Sequence, residues 1–242
     1  MTRNQETGHA RNVANFAQLI QAVIQLGSGY TPSSVSLSLS NLQSAYELAN
    51  QAVLTVHEAV TENRLKMDAR RLLFTQIRPV THRILAALVA NGISKESMEH
   101  AISIKRKIFG RRAHAKVQAT ESETEVKTHS VSQLSFDLQA DNFNQLITFI
   151  EAIPAFQPLE ADLKASALRA FYSSLVAQNQ AVSQSVIQVD QKRIERNKIL
   201  YDANTGLVPT AIRTREYITS VFGIQSPQSK NVRKIFFKVA RV

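Results

Sequence analysis

At 242 residues, 44% hydrophobic and 20% charged, the chain is too apolar to be a disordered segment and has the length of one large domain or two ordinary ones. The absence of cysteine excludes a disulfide framework and a thiolate metal site, and no run approaches the roughly 18 apolar residues of a membrane span, so a cytoplasmic location is expected. Lys and Arg number 29 against 19 Asp and Glu, a formal charge of +10, which permits attraction to nucleic acid or anionic lipid without specifying a fold.

Residues 1–11 are polar and read as a mobile tail. Asn12 suits the N-cap of a first helix running to about Leu26, with Val13, Phe16, Leu19, Ile20, Val23 and Ile24 as its apolar stripe and Gly27-Ser28-Gly29 as its stop. After Pro32 a serine-rich stretch leads into a long helix expected to begin between Ser36 and Ser40. Its seam steps by fours and threes through Leu42, Tyr46, Ala49, Val53, Val56, Val60, Asn63, Met67, Arg70 and Phe74. Valine, alanine and the polar interruptions suit packing inside a bundle better than an isolated zipper. A bend is expected near Arg78-Pro79, since proline removes a helical hydrogen bond and crowds the preceding turn. A shorter helix from Val80 to Asn91 ends at Gly92, and Ser94 opens the next as its N-cap.

The same order then recurs. Asn15-Phe16-Ala17-Gln18-Leu19-Ile20 returns as Asn142-Phe143-Asn144-Gln145-Leu146-Ile147, and Tyr30-Thr31-Pro32 faces Phe156-Gln157-Pro158. The heptad seam reappears at Leu168, Tyr172, Leu175, Asn179, Val182, Val186, Val189, Arg193, Arg196 and Leu200. Asn204-Thr205-Gly206 breaks it, Leu207 to Phe222 forms the next helix, Gly223 ends that, and Ser226-Pro227 starts the last. Ile104, Lys107 and Ile108 align with Ile235, Lys238 and Val239. Matches at turn and core positions imply one unit used twice. The expectation is an all-α fold of two tandem homologous helical-bundle units, each with one long heptad-patterned helix and about three shorter ones, packed with pseudo-twofold symmetry: repeat 1 over 12–111, a linker over 112–135 and repeat 2 over 136–242. Val131, Leu134 and Phe136 are candidates to dock the linker's end.

Motifs for chemistry are missing. His9, His57, His82, His100, His114 and His129 contain no His-x-x-x-His pair; His57-Glu58 starts like a zincin motif, but position 61 is Thr, so His57 reads as a solvent-facing residue. Glu58 and Glu62 share a helical face without the Glu-x-x-His that a bundle metal site needs. No catalytic residue, metal ligand or cofactor is expected, and the chain does not read as an enzyme. The feature with functional colour is basic: Lys105, Arg106, Lys107, Arg111 and Arg112 close the first copy, and Lys230, Arg233, Lys234, Lys238 and Arg241 occupy the corresponding place in the second. These could hold phosphates, with Phe109, Phe236 and Phe237 available to stack or to pack. Equally, cations near a helix C-terminus are favoured by the dipole by about 0.3–1 kcal/mol each.

On the Asn-Phe-x-x-Leu-Ile echo, Val131-Ser132-Gln133-Leu134-Ser135-Phe136 and Val221-Phe222-Gly223-Ile224-Gln225-Ser226-Pro227-Gln228, the chain resembles a family of uncharacterised, basic, all-helical bacterial proteins made of two tandem repeats. That resemblance implies the fold and lends no site residue. The sequence reading is a non-catalytic helical scaffold or protein-binding module, with protein partners or self-association; the alternative is sequence-nonspecific nucleic-acid binding through the basic terminal helices.

Overall fold

Proline sets where the first long helix stops. Pro79 has no N–H to offer the Thr75 carbonyl and its ring would crowd that oxygen, so the helix ends at Thr75 and a new one starts at Ile77 with Pro79 in its first turn. The break falls at Gln76, close to the expected Arg78-Pro79, because proline disrupts the turn before it.

The computed structural model describes residues 6–110 and 135–238. Within them the elements are α1 (Glu6–Leu26), α2 (Leu39–Thr75), α3 (Ile77–Ala90), α4 (Lys95–Ile108), α5 (Phe136–Glu151), α6 (Ala165–Tyr201), α7 (Leu207–Phe222) and α8 (Pro227–Arg233), joined by short 3-10 turns, with no strand among the described residues. The fold is all-helical, and no helix is long and apolar enough to cross a membrane among the described residues. Serine caps act where expected at Ser94 and Ser226, and Ser135, not expected as a cap, opens α5 in the same way: each hydroxyl accepts from the N–H three residues on. Between α6 and α7, the Asp202 carboxylate accepts from the N–H groups of Asn204 and Thr205 at 3.1 and 2.9 Å. Those bonds hold the Asp202 carboxyl below the usual range. At Gly206 a Cβ would lie 2.6 Å from the Asp202 backbone nitrogen and oxygen, so this turn admits only glycine. Gly223, at φ +81°, ends α7 in the left-handed region.

Two compact units result, Met1–Asn63 with Ser185–Val242, and Arg64–Gln184. Each contains part of both long helices: α2 passes from the first unit to the second after Asn63, and α6 from the second to the first after Gln184. In the first unit α1 packs on α7 and α8, which lie at the other end of the sequence. Phe16, Leu19, Val23 and Leu42 join Leu200, Leu207, Ala211 and Ile218 in its core. In the second unit α5 packs on α4, and Phe143, Leu146 and Ile147 join Ile77, Ile84, Leu88, Ile104 and Ile108. Each fully buried aliphatic or phenyl side chain contributes about 1.5–3 kcal/mol relative to exposure. The compact grouping thus follows contacts across the chain.

The seams are largely buried. Leu42, Ala49, Val53, Val56 and Phe74 on α2, and Leu168, Leu175, Asn179, Val182, Val189, Arg196 and Leu200 on α6, are buried, whereas Met67, Val186 and Arg193 are exposed. Side-chain hydrogen bonds, one of them to the seam residue Asn63, link the long helices. Ser185 donates to Asn63 Oδ1 at 2.8 Å in the first unit, and Gln178 donates to the Lys66 carbonyl at 3.0 Å in the second. These two bonds join α2 and α6 within one chain.

Three expectations change. Asn12 is not an N-cap: α1 begins at Glu6, so Asn12 lies within the helix, buried. Helicity also replaces the expected tail from Glu6 onward, while residues 1–5 lie outside the described residues. Finally α8 stops at Arg233, shorter than α4, so Lys238 is not the helical counterpart of Lys107. Of the linker 112–135 only Ser135 is described; Val131 and Leu134 lie outside, and Phe136 packs edge-on against Phe74 at 4.8 Å with the Arg70 guanidinium 4.1 Å from its ring.

A buried phenol gives the first unit a measurable pH signature. Tyr30 donates to the Leu37 carbonyl at 2.7 Å and meets Tyr217 edge-on. Burial pushes its pKa from 10.0 up to about 12, against a hydrogen bond with Thr214 that lowers it. Below pH 10 the phenol is neutral in both folded and unfolded chains, so stability is complete; between about 10 and 12 only the unfolded chain ionises, and stability falls. Wild-type stability is expected to fall more steeply over that window than that of Tyr30→Phe. Parallel denaturation of wild type and Tyr30→Phe from pH 9 to 12 checks it, and identical alkaline slopes would refute it.

Candidate nucleic-acid and anion-contact surfaces

The basic residues fall into one group per unit. In the second unit Lys105, Arg106 and Lys107 occupy the last turn of α4, with Arg106 and Lys107 turned away from buried Ala101, Ile104 and Ile108 and Lys105 flanking them beside Phe109. Arg106 and Lys107 are exposed and Lys105 is half-buried. Arg111 and Arg112 lie outside the described residues. In the first unit Lys230 and Arg233 sit on α8, Lys234 is its C-cap and Lys238 follows in an irregular segment; all four are exposed. Arg241 and Val239 lie outside the described residues.

Ion pairing separates these cations from others. Arg83 holds Asp162 and Arg169 holds Glu151, and both carboxyls are drawn below their ordinary pKa by the guanidinium hydrogen bonds. Lys192 and Arg193 meet Glu195 and Asp190 one turn away. By contrast Lys105, Arg106, Lys107, Lys230, Arg233, Lys234 and Lys238 make no ion pair among the described residues. Their charge is available to an external anion, although the α4 dipole accounts for part of their placement.

The three neighbouring phenylalanines divide. Phe109 is buried and serves as a platform for its own chain: the Arg78 guanidinium lies 5.3 Å, the Lys105 ammonium 5.5 Å and the His82 ring 5.1 Å from its centroid. Phe237 is buried edge-on against Phe16 at 6.5 Å. Phe236 is 77% exposed. Arg78 and His82 are absent from the sequence-derived candidates; their i, i+4 spacing on α3 was the available signal.

Sequence reasoning also missed a buried polar network. His9 Nδ1 lies 2.7 Å from the Tyr201 hydroxyl, which accepts from Asn12 Nδ2 at 3.2 Å. The Asn12 side-chain amide then pairs with the Lys238 backbone on both sides, donating to its carbonyl at 2.8 Å and accepting from its N–H at 2.9 Å. An asparagine that mimics a peptide group in this way ties α1 to the far end of the chain. His57 is exposed, as are Glu58 and Glu62; His82 and His100 lie against Phe109 and Phe149; His114 and His129 are outside the described residues. No group of three His, Asp or Glu among the described residues is arranged to hold a metal ion. The chain's motifs and geometry must therefore carry the functional reading, because no family model, curated protein or solved structure matches it.

Proposed function

We propose that the chain is a non-catalytic helical scaffold that acts in the cytoplasm by binding protein, built from two copies of one helical unit related by a pseudo-twofold axis. The observation that carries the binding role is an exposed apolar pair, seven residues apart, on each long helix. On α2 these are Leu65 and Leu72, 66% and 69% exposed; on α6 they are Ile187 and Ile194, 57% and 69% exposed. Seven residues make about two turns, so each pair lines one face. A single exposed leucine needs no explanation, but aligned pairs form the kind of seam a partner helix covers. The duplication is supported by the recurring element order, by 37 residues in both α2 and α6, and by the full burial of Phe16 and Phe143 at matching places. A photo-crosslinking residue at Leu72 or Ile194 should capture one defined protein, or a second copy, in preference to the same residue at exposed Gln51 or Gln180. Equal capture at all four positions would sink this reading.

A second reading, sequence-nonspecific nucleic-acid binding, is supported by the exposed, carboxylate-free cations Lys230, Arg233, Lys234 and Lys238 and by Arg106 and Lys107. Contacts to about four phosphates on the first unit would make affinity fall roughly a hundredfold between 50 and 200 mM salt. A labelled oligonucleotide titrated at both salt concentrations tests this, and no binding at the lower one ends it.

A further inference from the structure

Phe236 is exposed although the chain around it is held firmly. The Asn12 side chain pairs with both backbone groups of Lys238, Asn15 Nδ2 donates to the Phe236 carbonyl, and Arg215 donates to the Ile235 carbonyl at 3.4 Å. The next ring, Phe237, is locked against Phe16. Positions 236, 237 and 238 consequently run exposed, buried, exposed, which leaves the Phe236 ring and the Lys238 side chain open to solvent from an anchored backbone. Lys230, Arg233 and Lys234 precede them on and beside α8, exposed and without a carboxylate partner among the described residues. An aromatic ring with open faces, a fixed backbone and flanking cations is what a single-stranded nucleic acid requires: the ring stacks on a base and the cations hold the phosphates on either side.

From this we infer that Phe236 is a stacking platform for an unpaired base, with Lys234 and Lys238 as its nearest phosphate contacts and Lys230 and Arg233 extending the track. The inference rests on the nucleic-acid reading and narrows it to single strands. In a duplex the base faces are already stacked on one another and closed to a side chain. In an unpaired strand they are open, and every base offers a π-face, so the preference is for strand type and not for sequence. Attachment to an anionic bilayer is disfavoured by area: one phenyl ring buries far less apolar surface than a single acyl chain, which itself holds a protein only marginally.

The test uses the full chain and fluorescence anisotropy with a labelled oligo-dT single strand, a labelled hairpin duplex and, in parallel, phosphatidylserine vesicles. Phe236→Ala and Phe236→Leu are expected to weaken single-strand binding roughly tenfold or more while leaving duplex binding unchanged, and Phe236→Trp to retain or strengthen it. A Lys234→Gln/Lys238→Gln double variant should weaken both nucleic acids and flatten the salt dependence. Because the ring is exposed, thermal melting of each variant should match wild type. Wild-type binding that is indifferent to Phe236→Leu, or equally tight on duplex and single strand, overturns the stacking role alone. Failure to bind either nucleic acid overturns it together with the reading beneath it, as does binding confined to the vesicles.

Discussion

Replacing Phe16 with alanine is expected to lower stability by about 3–5 kcal/mol, and Phe143→Ala by a similar amount. Both rings are fully buried. Each removal forfeits the transfer free energy of a phenyl group and leaves a cavity that rigid helices fill only in part. The location of the damage is as informative as its size. Phe16 sits in a core built from α1, the start of α2, the end of α6, α7 and α8. Amide exchange in Phe16→Ala should therefore accelerate in α7 and α8 as well as in α1, although some two hundred residues of sequence separate them. Phe143→Ala should instead expose α3 and α4 together with α5, since those helices share the other core. Guanidinium denaturation gives the magnitude and exchange gives the map. A loss below about 1 kcal/mol, or loosening confined to the neighbours of each ring in sequence, would contradict the packing described above.

Asn12→Leu is expected to cost about 2–3 kcal/mol despite conserving size and raising hydrophobicity. The wild-type amide satisfies the Lys238 N–H and carbonyl together and also donates to Tyr201. Leucine strands the Lys238 N–H and carbonyl and removes one partner of the Tyr201 hydroxyl, which keeps His9, and a buried polar group without a partner costs more than the net value of the bond it lost. Asn15→Ala serves as the comparison, since its bond to the Phe236 carbonyl is solvent-exposed and its loss should cost under about 1 kcal/mol. For a chain of this length the difference corresponds to several degrees of melting temperature. Rapid amide exchange at Lys238 in Asn12→Leu but not in Asn15→Ala would identify the mechanism. Equal melting of the two variants would assign the clamp no energetic role.

Much of the helical layout was legible in the residues. The α7 boundaries, the serine caps at 94 and 226, the break around Gly206 and most seam positions follow from local rules, because each depends on groups within one or two turns. Where those rules failed, the missing information was non-local. Asn12 has the composition of a cap, yet its partner is Lys238, at the other end of the chain. Lys238 aligned with a helical lysine, yet the segment after α8 is held by side chains of α1 and α7 instead of continuing as a helix. Among the candidate contacts, charge and position along the chain could be read, but not which of three phenylalanines stays open. Phe109, Phe236 and Phe237 differ only in what packs on them.

By itself the sequence determined an all-helical chain with two long heptad-patterned helices, their capping and stops, and a basic surface free of recognisable catalytic motifs. Periodicity, proline, glycine and serine act locally and need no knowledge of the rest of the chain. Tertiary structure alone decided that α1 packs with α7 and α8 while α5 packs on α4 and shares a core with α3. The stripes of α1 and α5 are alike at Phe16 and Phe143, at Leu19 and Leu146, and at Ile20 and Ile147, so hydrophobic pattern matches either helix to either site. Specific contacts make the choice, among them the Asn12 clamp on Lys238 and the Phe16–Phe237 edge, which bring together residues more than two hundred positions apart.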